Sequence, residues 1–278
     1  MPIGLNWDAS LYRGSASHYL RGRPPYAPAL TEVLASVVPF DRHARVLDVG
    51  CGPGVIGVPL AYLVAEIVGV DPDPDMLAEA SRYASATGAT NCTWLEMRAE
   101  EIPPDIGPFR AVIFGQSFHW MDRALVAERV RDMIEPGGAL VHIADWKAPR
   151  TDLLDLPYPT PPYEAIRGLV QGYLGPVQRA GQGVLAFGSQ GDEDTVLTEA
   201  GYRLEQRIAV PANDPFIRHE DEVVSWVYSL SSSAPHLFSD DLPRFEHDLR
   251  ALLREASPTG LFADQPVDTD VRLWRVVD

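Results

Sequence analysis

The residues best suited to chemistry lie close together. Val46–Gly54 reads VLDVGCGPG, and Asp71 follows. Glycines at 50, 52 and 54 let a chain turn sharply and approach a ligand with no Cβ in the way. A helix after them offers free N–H groups at its start. A carboxylate about 20 residues beyond such a loop suits two ribose hydroxyls. A nicotinamide or flavin cofactor fits this much. Dinucleotide sites, however, use G-x-G-x-x-G/A, whose third small residue lets helix and strand pack around a pyrophosphate. Here Val55 takes that place and Gly54 comes one residue early. Asp48, inside the strand, suits an ammonium and would repel a pyrophosphate. A ligand with ribose, adenine, a sulfonium and an amino-acid tail fits these residues better.

A second chemical segment is GQSFHWMD, Gly115–Asp122. Polar and aromatic side chains crowd a turn at the end of a strand, where open α/β sheets bind ligands. His119 is the candidate general base or substrate orienter, because an imidazole titrates near neutral pH. A turn histidine satisfied by backbone is the competing reading. Trp120 offers an aromatic wall beside Phe118. Trp146 reads equally as pocket wall or core, and His142, in mid-strand, as a satisfied core histidine.

The elements that must position these residues alternate regularly. A helix opens at Pro28 and runs to about Val38. Strands are predicted at Arg45–Val49, Ile67–Val70, Thr93–Met97, Phe109–Gly115 and Ala139–Ala144. Helices are predicted at Val55–Val64, from the N-cap Asp73 with Pro74 first to Thr87 before Gly88, and at Arg123–Ile134 ahead of Pro136-Gly137-Gly138. Such alternation predicts α/β architecture with a doubly wound, mostly parallel seven-stranded sheet. Tyr202–Val210 and Val271–Val276 supply the last strands. Helices are expected at Asp194–Ala200, Glu220–Ser231 and Leu242–Glu255. The acidic pairs Asp192–Asp194, Glu220–Glu222 and Asp240–Asp241 read as helix starts rather than metal ligands. Residues 148–190, rich in Pro, Tyr and Gly, read as a cap or insertion after the fifth strand. The expected organisation is an N-terminal lid segment (1–30), a cofactor-binding core (31–147), the cap (148–190), and a C-terminal part (191–278) that completes the sheet and adds helices.

The bulk properties narrow the partners. The chain has 278 residues, 46% hydrophobic and 22% charged, as ordinary globular proteins do. Its formal charge of −16 opposes nucleic acid as substrate, since phosphates demand a basic surface. The apolar stretch Val55–Val70 is interrupted by Pro59, Glu66 and Gly69, so no membrane span is expected. MPIGLNWDAS lacks the basic and apolar parts of a secretory signal, and a cytoplasmic location is the expectation. Two cysteines, Cys51 and Cys92, make neither a disulfide framework nor a zinc site, and no metal is expected. Oligomeric state leaves no trace in the sequence.

VLDVGCGPG, Asp71 and EPGGALV (Glu135–Val141) together resemble the class I S-adenosylmethionine-dependent methyltransferases that act on small molecules. QxFHW segments similar to this one occur in the same group. The resemblance covers residues 40–146 and implies the Rossmann-like methyltransferase fold. It implies S-adenosyl-L-methionine as cofactor and S-adenosyl-L-homocysteine as product. By that resemblance the backbone of Gly50, Cys51, Gly52 and Gly54 meets the methionine part, with Asp48 nearby. Asp71 holds the ribose, and Pro72 and Met76 pack on the adenine. The Ala99 N–H faces the ring, and Glu100 takes its exocyclic amine. Gln116 floors the site beside the methyl group. Tyr19, Arg23 and Tyr26 resemble a lid. Many members carry an aspartate where this chain has Arg98. The implied reaction is methyl transfer to an O, N or C nucleophile of a small molecule. The aromatic and proline content of the surroundings suggests an apolar or aromatic acceptor. The rival readings are a binder of the same cofactor that does not methylate, such as a cyclase or sensor, and an NAD-dependent oxidoreductase.

Overall fold

The computed structural model describes residues 10–147, 151–176, 179–180, 183–184 and 192–277. The start of the expected lid segment and parts of the expected cap lie outside these residues. The helices are α1 (Ala16–Gly22), α2 (Leu30–Val37), α3 (Gly57–Leu60), α4 (Pro74–Thr87), α5 (Arg123–Arg131), α6 (Tyr163–Leu174), α7 (Glu193–Glu199), α8 (Glu220–Tyr228) and α9 (Leu242–Ala256). The strands are β1 (Arg45–Val49), β2 (Glu66–Asp71), β3 (Cys92–Glu96), β4 (Phe109–Gly115), β5 (Ile134–Asp145), β6 (Arg179–Ala180), β7 (Gly183–Val184), β8 (Tyr202–Val210), β9 (Phe216–His219), β10 (Leu261–Asp264) and β11 (Thr269–Val276).

The main sheet has seven strands in the order β3-β2-β1-β4-β5-β11-β8. The first five neighbours pair in parallel, and β11 runs antiparallel between β5 and β8. The sequence-predicted doubly wound sheet is thus present. Period-two alternation divides each strand between two cores. Val46, Ile67, Ala111, Ile113 and Val141 join Leu30 and Leu34 of α2 on one face. Leu47, Val49, Val68, Val112 and Leu140 join Val126 and Val130 of α5 and Leu197 of α7 on the other. From β1 the chain winds outward through β2 to β3, then returns to place β4 on β1's opposite side. That reversal opens a crevice at the C-terminal ends of β1 and β4.

Some elements depart from the expected ones. Helix α5 stops at Arg131, and β5 begins at Ile134, so the Pro-Gly-Gly segment lies inside a strand rather than between a helix and a strand. Pairing jumps from Phe109 opposite Ile134 to Ala111 opposite Ala139. Gly137, at φ 79°, takes up this bulge. The expected helix Val55–Val64 is a single turn, α3, followed by a 3-10 turn over Ala61–Leu63.

The expected cap contains a regular helix, α6. Its Ile166 shares a third core with Val223, Val224, Val227, Tyr228, Phe238, Phe245, Leu249, Leu253 and Phe262. The cap core therefore draws on α6, α8, α9 and the antiparallel pair β9–β10, which crosses the sequence boundary at residue 190.

Candidate active site

The glycine loop begins where β1 ends. Gly50, Gly52 and Gly54 all adopt left-handed backbone, at φ 67°, 51° and 76°. A Cβ on Gly50 would stand 2.6 Å from the Ser117 Cβ. A Cβ on Gly52 would meet nothing within 4 Å. The loop is tied down from within. The Gly50 and Cys51 N–H groups both donate to the Val70 carbonyl, at 2.7 and 3.0 Å. The Gly52 N–H donates to Asp71 Oδ2 at 2.9 Å. These three donors are committed inside the protein, and at the start of α3, where free N–H groups were anticipated, the Gly57 and Val58 N–H groups are engaged by Asp48 and the Gly54 carbonyl.

Asp71 ends β2. Its Oδ1 accepts from the Asp73 N–H at 3.0 Å. Asp73 in turn caps α4, accepting from the Asp75 N–H at 2.9 Å. Burial pushes the Asp71 carboxyl up to about 6, opposed by its two backbone donors. Asp48 lies beneath the loop, with Oδ2 accepting from the Gly57 N–H at 3.1 Å. Burial pushes it to about 7, and the nearby Asp71 adds to the rise. The Cys51 thiol is likewise pushed well up by burial, so it is no thiolate nucleophile.

A cavity of about 740 Å³, counting its open mouth, lies at the C-terminal ends of β1, β2 and β4. Of the sequence-predicted residues, Gly50, Gly52, Asp71, Pro72, Met76, Ala99, Glu100, Gln116, Tyr19 and Trp120 line it. Gln116 is held at φ 54°, a strained conformation for a residue with a side chain. Its side chain is hydrogen-bonded to Asp145 at the end of β5. Glu100 is already engaged: Oε1 accepts from the Asp122 N–H at 2.8 Å, and Oε2 faces Arg98 at 3.4 Å. The anticipated contact with an adenine amine must share that carboxylate with both.

The other predicted residues stand behind the wall. Asp48, Cys51 and Gly54 support the loop from below. Gly54 faces Val58 and Trp94. Phe118 is buried in the core against Phe114, with ring centroids 4.8 Å apart. Tyr26 packs on the α2 side of the sheet, and burial raises its phenol. The Trp146 ring lies under the Arg207 guanidinium, 4.6 Å away, at the sheet edge. His119 is half-buried, 5.0 Å from the Trp120 ring, and burial lowers its pKa. His142 is a core histidine, but its Nδ1 has no hydrogen-bond partner, contrary to the satisfied ring expected. Burial holds it at about 4, and hence neutral.

Sequence reasoning missed part of the wall, namely Leu11, Tyr12, Ser117 and Met121. Tyr12 meets Trp120 edge-on at 6.2 Å and hydrogen-bonds Ser231. Its only signal in the sequence is the clustering of tyrosines before residue 30. Among the described residues, no group of His, Cys, Asp and Glu could hold a metal ion. No described helix is long and apolar enough to cross a membrane.

Comparison with known proteins agrees with this geometry. A family model for a methyltransferase domain matches residues 46–138. An uncharacterized methyltransferase of Mycobacterium tuberculosis is 38% identical over 134 residues, covering 48% of this chain and 51% of that protein. The chain thus spans about half the length of that curated relative. Trans-aconitate 2-methyltransferase of Streptomyces coelicolor is 29% identical over 271 residues, covering 91% of this chain and 80% of that one. A methyltransferase of Thiobacillus denitrificans, solved with S-adenosyl-L-homocysteine, shares the fold at a TM-score of 0.53 and 16% identity, covering 95% and 97% of the two chains. The glycine loop, Asp71 and the crevice they share all fall within or beside the matched segment, so residues 46–138 are a methyltransferase domain, carried on a sheet that shares the fold of the neighbour solved with S-adenosyl-L-homocysteine.

Proposed function

We propose that this chain transfers a methyl group from S-adenosyl-L-methionine to an O, N or C nucleophile of a small, apolar or aromatic molecule. The observation that carries this reading is the pairing of Asp71 with Gly52 at the mouth of a cavity placed at the sheet's switch point. The cavity has the size of a small-molecule site. The space above Gly52 is where a side chain would block a ligand, and each Asp71 oxygen keeps a lone pair beyond its one backbone donor. The residues therefore fit the cofactor.

When bound, S-adenosyl-L-methionine supplies an electrophilic sulfonium methyl. Asp71 would orient the ribose hydroxyls. Pro72, Met76 and Ala99 would flank the adenine. The loop carbonyls would accept from the ammonium, with Asp48 beneath adding negative charge. Gln116, braced by Asp145, would floor the methyl end. Tyr12, Tyr19 and Trp120 would exclude water there and present ring faces to a cation. The protein's contribution is alignment and dryness rather than covalent chemistry. His119 would act on Trp120 as an orienter, since it is set back from the cavity wall.

The test is calorimetric titration with S-adenosyl-L-methionine, S-adenosyl-L-homocysteine and NADH. Saturable binding of the first two alone supports the reading. Binding of NADH alone overturns it. Aromatic phenols and amines are the first acceptors to supply, with trans-aconitate, named as the substrate of the Streptomyces coelicolor relative, as the polar contrast. Binding without release of S-adenosyl-L-homocysteine across such acceptors would favour a non-methylating role.

A further inference from the structure

A second cavity lies in the cap, between α6 and the end of α8 with the segment that leaves it. Its volume is about 920 Å³ counting its open mouth, against about 740 Å³ for the cofactor cavity. Ile166, Val170 and Leu174 stand one turn apart on α6 and form one wall. Val227 and Leu230 face them. Tyr163, at the start of α6, meets Trp226 edge-on, with ring centroids 5.0 Å apart. These walls are fixed from behind. The Tyr163 hydroxyl donates to Asp264 Oδ1 at 2.6 Å and accepts from the buried Arg218. The buried Ser233 hydroxyl donates to the Val227 carbonyl at 2.5 Å. A preformed apolar slot of this size suits a small molecule.

Charge narrows what that molecule is. In a chain of formal charge −16, no carboxylate is among the described residues that line the groove, and Arg167 is the one charged group there. Its ion-pair partner Glu164, at 2.8 Å, lies outside the lining, and both side chains are more than half exposed. Such a pair is weak, so the guanidinium is open to sharing with an incoming anion. Gln171, one turn on, and Ser232, across the groove, add neutral donors. The two cavities share no lining residue. Leu11, Tyr12 and Tyr19 of the N-terminal segment roof the cofactor cavity. Between roof and groove stands the Leu230–Ser233 turn. Leu230, Ser232 and Ser233 line the groove, whereas Ser231 hydrogen-bonds Tyr12. A molecule in the groove therefore lies outside the cofactor cavity. We propose that this groove is a second ligand site, taking an apolar molecule with an anionic head, such as a medium-chain or aromatic carboxylic acid. The body lies on Ile166, Val170, Leu174 and Leu230, and the head meets Arg167.

The test uses two fluorescent probes of similar shape on the cofactor-free protein: anionic 1-anilinonaphthalene-8-sulfonate and neutral N-phenyl-1-naphthylamine. Both should bind the wild type saturably, and octanoate should displace them more strongly than octanol. Val170→Trp, which fills the groove, should weaken both probes about tenfold or more. If that variant misfolds, Ser232→Trp on the opposite, half-buried wall should do the same. Arg167→Gln should weaken the anionic probe about fivefold and the neutral one less than about twofold. In the wild type, either probe should slow amide exchange over α6 and residues 226–233. Protection over residues 10–23 instead, or binding that both tryptophans leave unchanged, places the probes elsewhere and overturns the proposal. Equal weakening of the two probes by Arg167→Gln overturns it too, because no anion is then being read. Failure of the wild type to bind either probe overturns it outright.

Discussion

Gly50 and Gly52 share a backbone conformation but not an environment, and substitution separates the two roles a glycine can have. Both φ values lie in the left-handed region, where an L side chain costs about 1–2 kcal/mol. At Gly50 the new methyl also collides with Ser117 and with Met121, 3.0 Å away. Gly50→Ala is expected to cost about 2–4 kcal/mol of stability, readable as a lower midpoint in urea. At Gly52 there is no collision, only the cavity. Gly52→Ala should cost about 1–2 kcal/mol, yet weaken S-adenosyl-L-homocysteine about tenfold or more by occupying its space. Equal losses of stability at the two positions would refute the distinction. His119 allows a similar separation. Its neutral ring leans on Trp120 rather than lining the cavity. His119→Gln should lower kcat severalfold and leave the acid limb of the pH–rate profile in place. Disappearance of that limb would make it the base.

Elements differ in how far the sequence reveals them. The cofactor half was legible because its signals are local: the glycines, the Asp73 cap, and Gly88 ending α4 at φ 75°. Helix α6 was not, because its punctuation resembled irregularity. Pro161-Pro162 mark its entry, Gly175 at φ 86° its exit, and Gly168 and Gly172 weaken the pattern between. Its apolar stripe, Ile166, Leu169, Val170, Tyr173 and Leu174, finds partners in α8, in α9 and in Phe238 between them, more than 45 residues onward, and no local pattern reports that. Tyr12 escaped for the same reason, since its partners Trp120 and Ser231 are distant in sequence. The roof, too, is built by remote packing. Helix α1 lies against α8 so closely that a Cβ on Gly22 would stand 2.3 Å from the Ser225 and Trp226 backbone. Arg21–Asp221 and Arg23–Ser229 flank that contact. Gly22→Val should therefore lift the roof from the cap without touching the sheet. The expected result is faster amide exchange over residues 10–26 with strand protection unchanged, and cofactor affinity lowered severalfold. Loss of protection in β1 and β4 as well would show that the roof is part of the main cooperative unit.

For the whole molecule, charge and burial pull stability the same way as pH falls, and the two can be told apart. The chain carries a formal charge of −16, so protonation relieves self-repulsion. Asp48 and Asp71 add a separate effect. Their folded values, about 7 and about 6, lie above the unfolded value of about 3.9. Between those values the folded state binds more protons than the unfolded one, so stability falls as pH rises. Both carboxylates penalise the fold fully above about pH 7 and progressively less toward about pH 4. The ligand-free protein should thus melt higher at about pH 5.5 than at about pH 8. Surface repulsion is screened in about 1 M salt, where the Debye length is about 3 Å, whereas buried carboxylates are screened little. The part of the gain that survives salt should shrink in Asp71→Asn. The cofactor reverses the sign. A sulfonium favours ionised carboxylates, so binding of S-adenosyl-L-methionine releases protons and strengthens as pH rises through 6 and 7. S-adenosyl-L-homocysteine, lacking that charge, should respond less. Calorimetry in two buffers of different ionisation enthalpy reads the proton release directly. Equal proton release for the two ligands would mean that the buried pair does not sense the sulfonium, and its raised values would then be a cost of the fold alone.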